Sequence, residues 1–125
     1  MNALRQIHAA LVPGGLVIDT QPVSAQPPIE AEAGDLGTLD MREWARTIAT
    51  IDGRVERAIG DGLFALEAER RFVVTDGYDD GAEFVAEVRE WAGTHIEDAF
   101  AQRLAEERGP IQLHQEVRLR VLRAL

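Results

Sequence analysis

Apolar residues recur along this chain at two spacings, one helical and one alternating, and the switches between them divide it into elements. Leu4, Ile7, His8 and Leu11 fall at helical spacing, which predicts a short helix over residues 2–12. Pro13 cannot continue it, because proline has no N–H to donate and its ring clashes with the preceding turn. Gly14 and Gly15 follow and can take the positive φ that a helix exit needs. Leu16-Val17-Ile18 then opens a strand predicted over residues 16–22 and ended by Pro22. Val23 to Pro28 reads as loop. Ile29 to Ala33 alternates apolar and acidic residues, as a short strand does. Gly34-Asp35-Leu36-Gly37 has turn chemistry, and Thr38-Leu39 returns as a brief partner strand.

The strongest helical pattern begins after Asp40. Met41, Trp44, Ile48, Ile51, Val55 and Ile59 form one apolar stripe. Asp40 and Glu43 have capping-box spacing. Gly53 lies inside the stripe and predicts a kink at Asp52-Gly53, and Gly60-Asp61-Gly62 ends the helix. A second capping box, Asp80 with Glu83, precedes Phe84, Val85, Val88, Trp91 and Ala92. Gly93 stops that helix. Thr94 with Glu97 restarts one carrying Ile96, Phe100 and Leu104, and Gly109-Pro110 closes it.

Two longer segments alternate with the period of a strand. In the first, Phe64 to Thr75, residues Phe64, Leu66, Ala68, Phe72 and Val74 are predicted on one face, with Arg70 the exception. Glu67, Glu69 and Arg71 fall on the other. In the second, Ile111 to Leu122, residues Ile111, Leu113, Val117, Leu119 and Val121 share a face against His114, Glu116, Arg118 and Arg120. Glu67 or Glu69 paired with Arg118 or Arg120 across these strands would contribute roughly 0.2–1 kcal/mol each. The pattern predicts an α+β fold in a single domain, residues 1–125: an antiparallel-rich sheet of three long strands plus a short hairpin, with three to four helices.

Composition narrows the function. The net charge of −9 argues against nucleic acid and anionic membranes as partners, since phosphate recognition needs a basic surface. The absence of cysteine excludes disulfides, thiol nucleophiles and Cys-type zinc sites. All 13 basic residues are arginine, so lysine Schiff-base and P-loop chemistry are absent. No apolar run is long enough to span a bilayer and no signal-peptide pattern opens the chain. The expectation is a soluble cytoplasmic protein.

The stretch Leu4 to Asp19, with its helix, Pro13-Gly14-Gly15 turn and Leu16-Val17-Ile18 strand, resembles the helix–PGG–strand segment of class I S-adenosylmethionine-dependent methyltransferases. The two long strands near the end, with helices before and between them, are similar to the C-terminal half of that Rossmann-like fold. The resemblance implies that the final strand lies between the PGG strand and the other long strand, antiparallel to its long partner. It also implies a cofactor loop of G-x-G type earlier in the fold. Here the chain begins one helix before the PGG turn, and Gly60-Asp61-Gly62, the one G-x-G present, follows a helix. The resemblance therefore implies a half-domain without a cofactor pocket and not catalytic alone. S-adenosylmethionine would enter only if a partner, or residues upstream of Met1, supplied the other half.

In the resembled family the PGG strand has a further neighbour, so its edge here is expected to be unpaired and open to another chain. A homodimer through that edge is the first expectation, making the chain a binding or interaction protein. The alternatives are the substrate-side subunit of a split methyltransferase and an unrelated small-molecule-binding α+β domain.

Candidate site residues follow from strand ends, since ligands of open α/β sheets bind outside the carboxyl ends of strands. Asp19, Thr20 and Gln21 on the PGG strand, with Tyr78, are the predicted substrate contacts; their plain alternative is a solvent-facing strand end. Asp76, Asp80, Gly81 and Glu87 partly match a calcium loop, but helix capping explains Asp80 and Glu83 without a metal. Gln26-Pro27-Pro28-Ile29 echoes an N/D-P-P-Y motif but follows the PGG turn instead of preceding it, and reads as loop. His8, His95 and His114 have no ligand spacing. Trp44 and Trp91 lie on apolar stripes and read as core. Ser24 has no histidine near it in sequence to activate it.

Overall fold

The sheet is built on the last strand, β5 (Ile111–Ala124), in a computed structural model that describes residues 3–125. Along one edge β5 holds β4 (Phe64–Tyr78) antiparallel for its whole length, with Phe64 opposite Ala124 and Tyr78 opposite Ile111. Along the other edge two strands lie end to end. β1 (Leu16–Pro22) runs opposite Arg123 to Val117, and β2 (Pro28–Ala31) opposite Leu113 to Ile111. Between them the Val23 N–H donates to the Glu116 carbonyl at 2.9 Å, and Ser24 Oγ accepts from the Glu116 N–H at 2.8 Å. That keeps the β5 backbone satisfied across the gap. β3 (Gly34–Thr38) pairs with β2 and completes the five-stranded antiparallel sheet.

Four helices complete the α+β fold: α1 (Ala3–Ala10), α2 (Arg42–Gly60), α3 (Gly81–Val88) and α4 (Asp98–Ala105). The predicted helix over 2–12 is α1, with residue 2 outside the described part of the chain. Gly14 exits it at φ +81°, and its N–H donates to the Ala124 carbonyl at 2.9 Å. The PGG turn is thereby tied to the end of β5.

The structure corrects the sequence reading at several local points. The hairpin turn sits at Glu32-Ala33, and Gly34 to Thr38 is strand. These acidic and glycine residues, despite their turn chemistry, are extended because β2 gives them a ladder to join. α2 is one continuous helix through Gly53. Asp40 and Glu43 form no capping box: Met41 is the N-cap, Asp40 bonds Arg42, and Glu43 bonds His95. Thr94 does not cap α4, whose N-cap is Glu97. Asp80 does cap α3, accepting from the Glu83 N–H at 2.9 Å, while Glu83 accepts from the Asp79 N–H at 2.8 Å. β4 continues through Tyr78, beyond its predicted end at Thr75.

The single apolar face expected for β4 is overturned by a bulge. The register shifts between Leu66 and Ala68, so Glu67 is an extra residue. Phe64 and Leu66 lie opposite Ala124 and Leu122. Ala68, Arg70, Phe72 and Val74 lie opposite Val121, Leu119, Val117 and Gln115, on the other face.

The core is accordingly in two parts on opposite faces of β5. Ile111 and Leu113 pack with Ile29, Leu39, Tyr78, Phe84, Val88 and Leu104, under α3 and α4. Leu122 and Ala124 pack with Phe64 and with Val55 and Ala58 of α2, while Leu4 and Leu11 close the side. Each large apolar side chain buried this way contributes about 1.5–3 kcal/mol. Leu16, Ile18 and Phe72 share the face of β5 opposite α2 and stay exposed, Ile18 to 65%.

Candidate functional site

A cavity of about 420 Å³ opens where the face of the sheet carrying Asp76 and Gln115 meets the start of α2 and the segment after α3. Trp44 and Trp91 contribute the aromatic walls, Met41 and Pro22 the aliphatic ones. Asp76 and Gln115 are its polar side chains. The volume falls in the range of small-molecule sites, and a mostly apolar lining with a few polar groups is their usual composition.

Gly93 brings the two tryptophans to one site. α3 ends at Val88, ahead of the predicted stop at Gly93, which lies in the turn that follows at φ +73°; a Cβ there would meet the Trp44 Cα and N at 2.8 Å. Only glycine lets the backbone lie this close. The Trp44 N–H donates to the Gly93 carbonyl at 3.2 Å, and the His95 N–H donates to the Asp40 carbonyl at 2.9 Å. Trp44 Nε1 donates to the Pro22 carbonyl at 3.0 Å, which holds the indole against the end of β1. Both tryptophans are half-buried: they pack against the core, as the sequence pattern predicts, and also line the cavity.

Gln115 is 7% exposed, and its side-chain amide bonds no group among the described residues. Asp76 likewise has no ion pair or side-chain hydrogen bond among the described residues. These two groups keep their hydrogen-bonding capacity for the cavity.

The arginines of β5 pair with acidic side chains. Arg118, 4% exposed, donates from Nη1 and Nη2 to the two Asp52 carboxylate oxygens at 2.8 and 2.6 Å. Arg120 Nε donates to Glu69 at 2.9 Å, and Arg123 Nη2 to Glu67 at 2.9 Å. The Arg118 hydrogen bond holds the Asp52 carboxyl below its ordinary range, against a smaller opposing effect of burial. His114 pairs with Glu30 at 3.0 Å and Thr75 at 2.8 Å, and His95 pairs with Glu43. Among the described residues no three acidic or histidine side chains are grouped to hold a metal.

The predicted substrate contacts do not converge. Gln21 Nε2 donates to Asp19 Oδ1 at 3.0 Å, on the face of β1 that carries Arg118 and Arg120. Thr20 points to the opposite face and is exposed. Tyr78 is buried against Phe84, edge-on at 5.1 Å between ring centroids. Burial and the neighbouring Glu87 carboxylate push its phenol up. Asp19 lies opposite Arg120 and Tyr78 opposite Ile111, so they stand near different ends of β5. A cleft shared by Asp19, Gln21 and Tyr78 is not formed.

No family model, curated protein or solved structure matches the chain. No helix among the described residues is long and apolar enough to cross a membrane.

Proposed function

We propose that this chain is a methyltransferase-like half-domain, not catalytic alone, that works as a homodimeric binding or interaction protein through the edge of β1. The observation that carries this reading is the strand order. β1 lies beside β5 and β5 beside β4, both pairs antiparallel, which is the order the resemblance implies for the last three strands. The outer edge of β1 has no strand partner among the described residues.

Besides the short β3, two strands have an open edge among the described residues, and their chemistry differs. β4 is guarded by Glu67, Glu69, Arg70 and Arg71 and twisted by its bulge, which are the usual defences of an edge. β1 presents Leu16-Val17-Ile18 with no charge before Asp19. Pairing two β1 strands across a two-fold axis would join two sheets into one and shelter Leu16 and Ile18.

Light scattering tests this directly. The expected mass is that of two 13.8 kDa chains; a monomer across the micromolar range overturns the homodimer. Calorimetry with S-adenosylmethionine is expected to show no binding by this chain alone, and binding would overturn the missing cofactor half.

The second reading, the substrate-side subunit of a split methyltransferase, is favoured by the bare face bearing Leu16, Ile18 and Phe72. Rossmann-type sheets carry helices on both faces, and a partner half would supply the missing layer. Co-expression with a protein carrying the G-x-G half, followed by co-purification, tests it. The third reading, an unrelated small-molecule-binding domain, would be favoured by a PGG strand outside the main sheet; here that strand is inside it.

A further inference from the structure

The geometry points to the Trp44–Trp91 cavity as a binding site for a small organic cation, an ammonium group on an apolar or aromatic body. The inference stands apart from the dimer reading, because the cavity is formed within one chain.

Three features select the charge and shape of the ligand. First, Asp76 is a half-buried carboxylate on the cavity wall with no cationic partner among the described residues. A charge placed beside apolar walls without a counter-ion attracts one from solution, and more strongly than in bulk water. No arginine lines the cavity, although 13 are present in the chain. Second, the walls carry two indoles. Tryptophan has the most attractive aromatic face for a cation, and its ring equally suits an apolar body. Trp44 is held by its bond to the Pro22 carbonyl, so it is pre-positioned. Third, the unspent Gln115 amide offers a carbonyl oxygen to an ammonium N–H. An anion would meet Asp76 and a chain charge of −9, and the overall field draws cations toward the surface.

Tryptophan fluorescence supplies the readout, since Trp44 and Trp91 are both tryptophans of the protein and both line the site. The full chain is titrated with phenethylamine, with the neutral 2-phenylethanol and with the anionic phenylacetate at one ionic strength, and calorimetry is run in parallel. Phenethylamine is expected to change the emission saturably and to bind about tenfold or more tighter than 2-phenylethanol, with no binding of phenylacetate. Asp76→Asn, with folding checked by circular dichroism, is expected to bring the amine down to the level of the alcohol. Gln115→Leu serves as a second variant and is expected to weaken the amine more than the alcohol. Absence of saturable amine binding by the folded protein overturns the inference. So does equal binding of amine and alcohol, or amine binding that Asp76→Asn leaves unchanged.

Discussion

Asp52 of α2 and Arg118 of β5 clasp each other through two hydrogen bonds, 2.8 and 2.6 Å long, with the guanidinium 4% exposed. This pair fastens the middle of the long helix to the sheet between the two core clusters. Truncating one partner of a buried pair typically costs about 3–5 kcal/mol, and here Glu69, 3.9 Å from the Arg118 Nε, keeps the loss at the lower end. Asp52→Ala is therefore expected to lower the unfolding free energy by about 3 kcal/mol in urea titrations. The double replacement Asp52→Leu with Arg118→Met is expected to recover most of that loss, because an apolar pair needs no desolvation of charge.

The same pair sets the response to acid. The Arg118 hydrogen bond lowers the folded-state pKa of Asp52 below its unfolded value. Its stabilisation is thus fully present above about pH 4–5 and is lost as pH falls through the folded pKa. Asp40 is also held down, to about 2, by the side-chain and backbone bonds from Arg42. That pair is exposed, and screening leaves Asp52 the larger contributor. Melting temperature measured from pH 6 down to pH 2 is expected to fall on the acid side, with a shallower fall in Asp52→Asn.

Two glycines are expected to be intolerant of a methyl group. A Cβ on Gly81 would meet the Leu104 carbonyl oxygen at 1.6 Å, so α3 and α4 would have to separate. A Cβ on Gly93 would meet the Trp44 backbone at 2.8 Å and would also force φ +73° on alanine. Either substitution is expected to cost about 3 kcal/mol, counting overpacking and, at Gly93, strain. Gly93→Ala should also redden the tryptophan emission by opening the cavity wall, whereas Gly81→Ala, which does not line the cavity, should change stability first.

Charge placed on β1 is expected to dissociate the dimer. Ile18 is 65% exposed and lies opposite Val121, so Ile18→Lys removes no buried contact of the single chain. Light scattering should shift toward the monomer while thermal stability of the chain stays within about 0.5 kcal/mol. The equivalent charge on β4, Val73→Lys, is expected to leave the mass unchanged, because that edge is already charged.

Loss of the α3 cap gives a smaller effect. Asp80→Ala removes the bond to the Glu83 N–H and is expected to cost about 1 kcal/mol in chemical denaturation, with no change in cavity binding.

The elements that were legible in the sequence are those whose signals are local. Pro13-Gly14-Gly15 marks a helix exit wherever it occurs, and β1 begins and ends where Leu16 and Pro22 predict. Asp80 caps α3 because its side chain reaches an N–H three residues on. The stripe from Met41 to Ile59 makes a helix through its own periodicity. The pairing of Glu69 with Arg120 also follows from alternation and charge.

The site and the faces were decided by tertiary structure. The Glu67 bulge reversed which residues of β4 meet the core, and nothing local distinguishes that glutamate from its neighbours. β5 buries opposite faces at its two ends because different helices cover them, a fact of topology and not of alternation. The sequence reading puts Asp19 and Tyr78 at one cleft, yet the long antiparallel partner carries them to separate places. Trp44 packs on the core as its helical periodicity predicts, but periodicity reports which side of a helix is apolar, not that a cavity lies beside it, and Trp91 lies beyond the end of α3. Contact between Gly93 and the Trp44 backbone joins segments nearly fifty residues apart along the chain. Such approaches depend on the packed whole, so the cavity exists only once the chain has folded.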